Sequence, residues 1–192
     1  MESLSIILAS QSPRRRELLK YITDDFTVIK PSCDEILPDG IDIFDSAEHL
    51  AVKKALCVAE GNKDSLVIGC DTVVIIDGAV LGKPKDEAEA FLMLRALSGK
   101  THMVVSGVCL SYKGRTLSFS QKTSVTFYEL SDSEILSYIS SCRPLDKAGA
   151  YGIQDKGALF VKEISGDYYN IVGFPIARLN REIKKLIELC GG

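Results

Sequence analysis

Leu66-Val67-Ile68-Gly69-Cys70-Asp71-Thr72-Val73-Val74-Ile75-Ile76-Asp77-Gly78-Ala79-Val80-Leu81 is the stretch that decides the fold. Leu66–Ile76 is strongly β-branched and reads as a strand. Asp77-Gly78 is a two-residue hairpin signal, and Ala79–Leu81 returns against the strand. An antiparallel pair is therefore fixed in the middle of the chain. Upstream, Ser5–Ala9 reads as a short strand. Ser12-Pro13 opens a helix, because Ser is a good N-cap and Pro is tolerated at the first helical position. Phe26–Lys30 predicts a second strand. Asp45 and Glu48 have capping-box spacing, and the helix that follows runs to about Glu60, where Gly61 stops it.

Downstream, Asp86 and Glu89 repeat the capping-box spacing. Ala90, Phe91, Leu94 and Leu97 give the next helix its apolar face, and Gly99 ends it. Val104–Tyr112 and Leu117–Phe127 predict two long strands joined at Lys113-Gly114. A helix from Asp132 to about Ser141, a strand over Leu159–Ile164 and an amphipathic helix over Ile176–Leu189 complete the order. The alternation of helices with adjacent antiparallel strands predicts an α/β fold with a mixed sheet flanked by helices, rather than a purely parallel one. No internal repeat, linker or low-complexity segment interrupts the 192 residues.

Composition sets the outer limits. Apolar residues make up 46% and charged residues 26%, which excludes a disordered or collagen-like chain. The net charge of −3, with both signs mixed along the chain, argues against a nucleic-acid polymer as partner. No apolar run approaches the ~20 residues of a membrane helix. Met1-Glu2-Ser3-Leu4 lacks the basic start of a signal peptide, so a cytoplasmic location is expected. None of the six cysteines, Cys33, Cys57, Cys70, Cys109, Cys142 and Cys190, forms a C-x-x-C pair. With only His49 and His102 beside them, a zinc site has little to stand on. Reduced, mostly buried thiols are expected instead.

Sequences tend to break local rules where they work. Arg14-Arg15-Arg16 puts three cations in the opening turn of a helix, where the macrodipole favours acids at up to about 1 kcal/mol each. Cations beside unpaired backbone N–H groups make an anion site, and phosphate is its natural ligand. Ser10 and Ser12 add hydroxyls on the approach. Asp71 sits inside an apolar strand, where a carboxylate is costly unless paired or metal-bound, and Gly69 beside it permits a close approach. If the hairpin carries no bulge, Ile76 pairs with Ala79, paired numbers sum to 155, and Lys83 comes to face Thr72. Lys54 falls on the apolar stripe Ala47, Leu50, Ala51 and Val58. Asp34-Glu35 offers a carboxylate for a hard cation.

Other motifs fail. Ser98-Gly99-Lys100-Thr101 ends like a phosphate-binding loop, but Leu94 replaces the earlier glycine and a helix precedes it. There is no G-x-G-x-x-G and no G-x-S-x-G. What remains is an arginine-rich turn, two lysines and two carboxylate positions, without an obvious Ser, Cys or His nucleophile. That set suits metal-assisted attack of water on a phosphate.

The sequence closely resembles the Maf family of nucleoside triphosphate pyrophosphatases, also called septum formation proteins. The resemblance runs from Leu8 to about Ile176. It is carried by Leu8-Ala9-Ser10-Gln11-Ser12-Pro13-Arg14-Arg15-Arg16-Glu17-Leu18-Leu19, Asp34-Glu35, Leu50-Ala51-Val52-Lys53-Lys54-Ala55, Gly69-Cys70-Asp71-Thr72-Val73-Val74 and Leu81-Gly82-Lys83-Pro84. Leu97-Ser98-Gly99-Lys100-Thr101-His102, Asp146-Lys147-Ala148-Gly149-Ala150-Tyr151-Gly152-Ile153-Gln154 and Gly173-Phe174-Pro175 follow in order.

The resemblance implies one Maf-like domain over 1–192, a two-lobed α/β fold with a central cleft, and hydrolysis of a nucleoside triphosphate to monophosphate and pyrophosphate. It also implies a divalent cation (Mg²⁺ or Mn²⁺) and a homodimer. Carried over by motif, Asp71 resembles the proton acceptor and, with Glu35, the metal ligands. Arg14, Lys54 and Lys83 resemble phosphate contacts, with Ser10 and Arg15 beside them. Arg14, Thr72 and Gln154 match positions tied to substrate choice.

The Gln154 block is similar to the branch acting on dTTP and UTP, and an amide that both donates and accepts suits a pyrimidine edge. Cys70, Asp155 and Asp167 depart from the family's usual Ala, Gly and Ser. The rival readings are a purine or 7-methyl-GTP pyrophosphatase, and a non-catalytic nucleotide-binding regulator of septum formation.

Overall fold

The computed structural model describes residues 4–191, so the reading of Met1–Ser3 lies outside the described residues. Seven strands form one mixed sheet: β1 (Ile6–Ala9), β2 (Thr27–Val28), β3 (Leu66–Ile76), β4 (Ala79–Leu81), β5 (Thr101–Tyr112), β6 (Arg115–Phe127) and β7 (Val161–Ser165). Their order is β2-β1-β3-β5-β6-β7, with β4 paired to β3. β1 lies parallel to both β2 and β3, whereas β3–β4 and β6–β7 are antiparallel. Among the described residues six α-helices accompany them: α1 (Pro13–Leu19), α2 (Ser46–Ala59), α3 (Glu87–Leu97), α4 (Asp132–Cys142), α5 (Tyr168–Val172) and α6 (Ile176–Leu189). The expected mixed α/β architecture is present.

The contacts divide the chain into two compact units. The first comprises residues 1–71, 106–121 and 173–192, and the second residues 72–105 and 122–172. In the first, Ile7, Ala9, Val58 and Val67 pack β1 and β3 against α2, and Ala51 and Ala55 of α2 meet Cys109 of β5. Small residues on α2 let it lie close to the strands. An added Cβ at Gly69 would stand 2.7 Å from Ala55 N and 2.8 Å from Ala55 Cβ, and closer still to Ala51 O. In the second unit, α3 and α4 bury Leu94, Leu97, Ile135 and Ile139 with Val104, Val125 and Phe127 of the strands.

Both hairpins turn as their sequences require. Asp77 and Gly78 have φ of 49° and 77°, and Lys113 and Gly114 have 47° and 74°. Two successive positive φ values match the right-handed twist of the flanking strands. The register at the first hairpin is Ile76↔Ala79, Ile75↔Val80, Val74↔Leu81, as the turn length dictates. The ladder ends at Leu81, so the expected pairing of Lys83 with Thr72 lies beyond it.

Other expectations are corrected in detail. β2 is two exposed residues rather than the whole of Phe26–Lys30. Asp45 caps α2 by position only: its backbone is already helical (φ −96°, ψ −11°), and Glu48 accepts a hydrogen bond from Ser118 Oγ (2.7 Å). The Asp86 box is half formed, because Asp86 accepts from Glu89 N (2.8 Å) while Glu89 accepts from Lys85 N (2.7 Å). A complete box stands at Ser131 and Glu134, opening α4, where the sequence reading placed no cap. Residues 159–160 belong to a 3-10 turn, and β7 begins at Val161.

His102 sits in the core of the second unit, 2% exposed. Its Nε2 lies 2.9 Å from Tyr151 Oη, and its ring meets Phe127 edge-on at 4.9 Å. Burial pulls its pKa from 6.5 down to about 4. The folded protein thus holds His102 neutral, while the unfolded chain takes up a proton between pH 6.5 and about 4. The unfolded state binds more protons in that window, so stability falls as the pH falls through it, by about 3 kcal/mol in all. Urea unfolding at several pH values is expected to show this slope, and His102→Phe is expected to flatten it. Equal slopes in both proteins would remove His102 as its source.

Candidate active site

β3 is buried along its length except at Asp71 and Thr72. The interruption falls where the sequence placed a carboxylate among β-branched residues. Lys54, on α2 above β3, donates to Asp71 Oδ1 at 2.6 Å. It also lies 3.1 Å from Glu35 Oε1. The Lys54 and Asp71 side chains are only 11% and 14% exposed, whereas Glu35 is 63% exposed. Burial alone would pull the Lys54 pKa down, but the charges and hydrogen bonds of Asp71 and Glu35 outweigh it and hold the ammonium above its ordinary value. Lys54 is therefore a fixed cation held between two carboxylates.

The loop carrying Glu35 is held to α2 by a second pair one residue away: Lys53 Nζ donates to Asp34 Oδ1 and, at 3.2 Å, to Ile36 O. The sequence reading did not single out Lys53. The signal available was the matching doublets, Asp34-Glu35 and Lys53-Lys54, of opposite charge.

The arginine turn is organised differently from the expectation. α1 spans seven residues. Ser12 caps it, its Oγ accepting from Arg15 N at 3.5 Å, while Ser10 Oγ accepts from Ser12 N and from Arg15 Nη1, both at 3.3 Å. Arg15 reaches inward: Nη1 donates to Cys70 O at 2.6 Å and Nε to Gly173 O at 3.0 Å. It thus grips the peptide immediately before Asp71. A hollow of about 400 Å³ opens beside α1, lined by Ser10, Gln11, Ser12, Pro13, Arg16, Glu17, Lys20 and Val28. Lys54, Asp71 and Glu35 are not in its wall.

The first unit thus brings together Glu35, Lys54 and Asp71, and joins Ser10 and Arg15 through Cys70 to the strand that carries Asp71. Arg14 lies in the first turn of α1, half-buried. Thr72, Lys83 and Gln154 belong to the second unit, where Lys83 and Gln154 are exposed. Gln154 precedes Asp155, which caps a 3-10 turn by accepting from Gly157 N (2.8 Å) and also accepts from Tyr138 Oη (3.0 Å).

The order of strands and helices is that of a mixed α/β protein, and a solved HAM1 protein from Coxiella burnetii shares the fold, with a TM-score of 0.54 at 17% identity over 95% of this chain and all of that one. The model of the family described as Maf-like protein matches residues 5–186. The chain belongs to that family. It is 52% identical over 179 residues to a dTTP/UTP pyrophosphatase of Bacillus cytotoxicus, covering 93% of this chain and 94% of that protein. A dTTP/UTP pyrophosphatase of Bacillus cereus is 51% identical over 180 residues, 94% of each chain. No helix among the described residues is long and apolar enough to cross a membrane.

Proposed function

We propose that the protein hydrolyses dTTP and UTP to the monophosphate and pyrophosphate, and that residues 1–192 act as a single Maf-like domain. The observation that carries the reading is the Glu35–Lys54–Asp71 cluster in a chain half identical to proteins so named. Asp71 accepts the proton of the attacking water, at a carboxylate oxygen whose position Lys54 fixes. Lys54, Arg14 and Lys83 bind phosphate oxygens, with Ser10 and Arg15 supporting the α1 turn. Thr72 and Gln154 select the base, the Gln154 amide offering both a donor and an acceptor to a pyrimidine edge.

The donor set fits a small hard cation. Glu35 and Asp71 are both oxygen ligands and already share one cation, the Lys54 ammonium. Among the described residues no group of three or more His, Cys, Asp or Glu side chains is gathered around a metal position. Mg²⁺ and Mn²⁺ suit such a site, since Mg²⁺ takes one or two carboxylates and fills the rest with water and substrate phosphates. When bound, the cation would neutralise phosphate charge and acidify water. A cytoplasmic location, a homodimer and the absence of a nucleic-acid polymer partner belong to the same proposal; the six free cysteines support the first.

Release of pyrophosphate across a panel of nucleoside triphosphates, with Mg²⁺ or Mn²⁺, tests the reading. dTTP and UTP are expected to turn over fastest. Faster turnover of 7-methyl-GTP or a purine would move the substrate assignment to the other branch. Tight binding without turnover of any nucleotide would leave a sensor in place of an enzyme.

A further inference from the structure

α4 and the chain that follows it are laced together around one hydroxyl. Ile135, Tyr138 and Ile139 fall three and four residues apart, so they share the buried face of α4. A phenol only 3% exposed needs partners for its hydroxyl, and two are supplied. Tyr138 Oη accepts from Gly152 N at 3.0 Å and donates to Asp155 Oδ1 at 3.0 Å. Burial, and then the Asp155 charge, raise the Tyr138 pKa, so the phenol keeps the proton it donates. Asp155 Oδ1 also accepts from Gly157 N at 2.8 Å, and Oδ2 lies 3.7 Å from Lys147 Nζ. Asp155 N closes a four-residue turn onto Gly152 O at 3.4 Å, with Gln154 third in that turn. The turn is packed as well as bonded: a Cβ added at Gly152 would stand 2.5 Å from Asp155 Oδ2, and one at Gly157 would stand 2.6 Å from Gly152 O. Tyr151 and Ile153 are buried on either side of Gly152, and Gln154 is left exposed at the tip. All of these residues belong to the second unit.

We propose that Tyr138 and Asp155 are positioning residues for base selection: their hydroxyl–carboxylate link clamps the turn from Gly152 to Asp155 and so fixes where the Gln154 amide meets the nucleobase. The inference rests on the reading of Gln154 as a base contact. Neither Tyr138 nor Asp155 needs to touch the nucleotide. Ordering a loose turn and its side chain on binding costs affinity, and a turn fixed beforehand avoids that cost. Cutting the link restores the cost, and it falls on the nucleotide whose base Gln154 hydrogen-bonds. A nucleotide that Gln154 does not recognise is spared. The link therefore contributes to discrimination between nucleotides and not only to the stability of the fold.

The test compares kcat/KM of the full chain for dTTP, dATP, dCTP and dGTP. Tyr138→Phe keeps the ring, which packs edge-on against Phe160 with centroids 5.0 Å apart, and removes only the hydroxyl. Its preference for dTTP over the best of the other three is expected to fall about tenfold, the weight of one well-placed hydrogen bond. The fall is expected chiefly as a higher KM for dTTP. Asp155→Ala is expected to act alike, and the double variant to lose no more than either, because each breaks the same link. Asp155→Asn, whose Oδ1 still accepts, is expected to keep most of the preference. A role in stability alone lowers the active fraction for all four nucleotides equally and leaves the ratio where it was. Amide exchange within residues 152–157 is expected to quicken in Tyr138→Phe while that of α6 holds. If Gln154→Ala lowers the preference but Tyr138→Phe and Asp155→Ala do not, or if their losses add in the double variant, the proposal alone is overturned. If Gln154→Ala leaves the preference intact, or the unaltered chain has none, the reading of Gln154 as a base contact is overturned and takes the proposal with it.

Discussion

Asp71→Asn is expected to lower the turnover of dTTP by about 10²–10⁴-fold, the usual contribution of a positioned general base. The amide keeps the size of the carboxylate and can still accept from Lys54, so the local packing survives. What it loses is the capacity to take a proton. Pyrophosphate release under saturating substrate, measured beside a urea unfolding curve, separates loss of chemistry from loss of fold. Glu35→Gln is expected to cost less, because Glu35 is 63% exposed and water can replace part of what it does. Full activity in Asp71→Asn would remove Asp71 as the base and with it the proposed mechanism.

The second large effect is expected at Gly69, two residues before Asp71. A methyl group there meets main-chain atoms of α2, at Ala51 O and Ala55 N, which no rotamer change can move aside. Relief requires α2 to shift away from β3. Overpacking of a core costs about 1–3 kcal/mol, and Gly69→Ala belongs at or above the top of that range because the obstacle is backbone. The shift also draws Lys54, one residue before Ala55, away from Asp71. Urea unfolding is expected to show the destabilisation, and turnover is expected to fall further than stability alone explains. Gly61→Ala, where an added Cβ meets nothing within 4 Å, serves as the control. If Gly69→Ala matches the control in both measurements, the helix is not held against the strand as described.

Much of this arrangement was legible in the sequence for identifiable reasons. The β3–β4 hairpin was readable because Asp-Gly turn chemistry fixes both the loop length and the register. Asp71 stood out because a carboxylate in a β-branched run contradicts its surroundings. Lys54 stood out because it falls on an apolar helical stripe, and the structure joins the two at 2.6 Å. Local rules went further astray where a long-range partner competed. The Asp45 box fails because Ser118, distant in sequence, engages Glu48. The arginine turn reads as three cations in the opening turn of a helix, and the sequence does not tell them apart; Arg15 turns inward to two carbonyls contributed by distant residues. Backbone acceptors carry no signature in a sequence, so no pattern announces them. β2 is short for a related reason: strand propensity over Phe26–Lys30 specifies only part of an edge, where burial does not enforce pairing.

The grip of Arg15 on Cys70 has a consequence for tolerance to change. The guanidinium reads a main-chain oxygen, which every amino acid supplies, and leaves the side chain at that position without a part in the bond. The Cys70 thiol makes a separate bond, donating to Gly173 O at 3.4 Å, so residue 70 is constrained by volume and by that one weak contact, while the hold on the neighbouring acid does not depend on which side chain stands there. Serine in its place should keep a donor toward Gly173 O and alanine should give up one weak bond, whereas a bulky replacement would wedge apart the lining of a position that has no exposure at all.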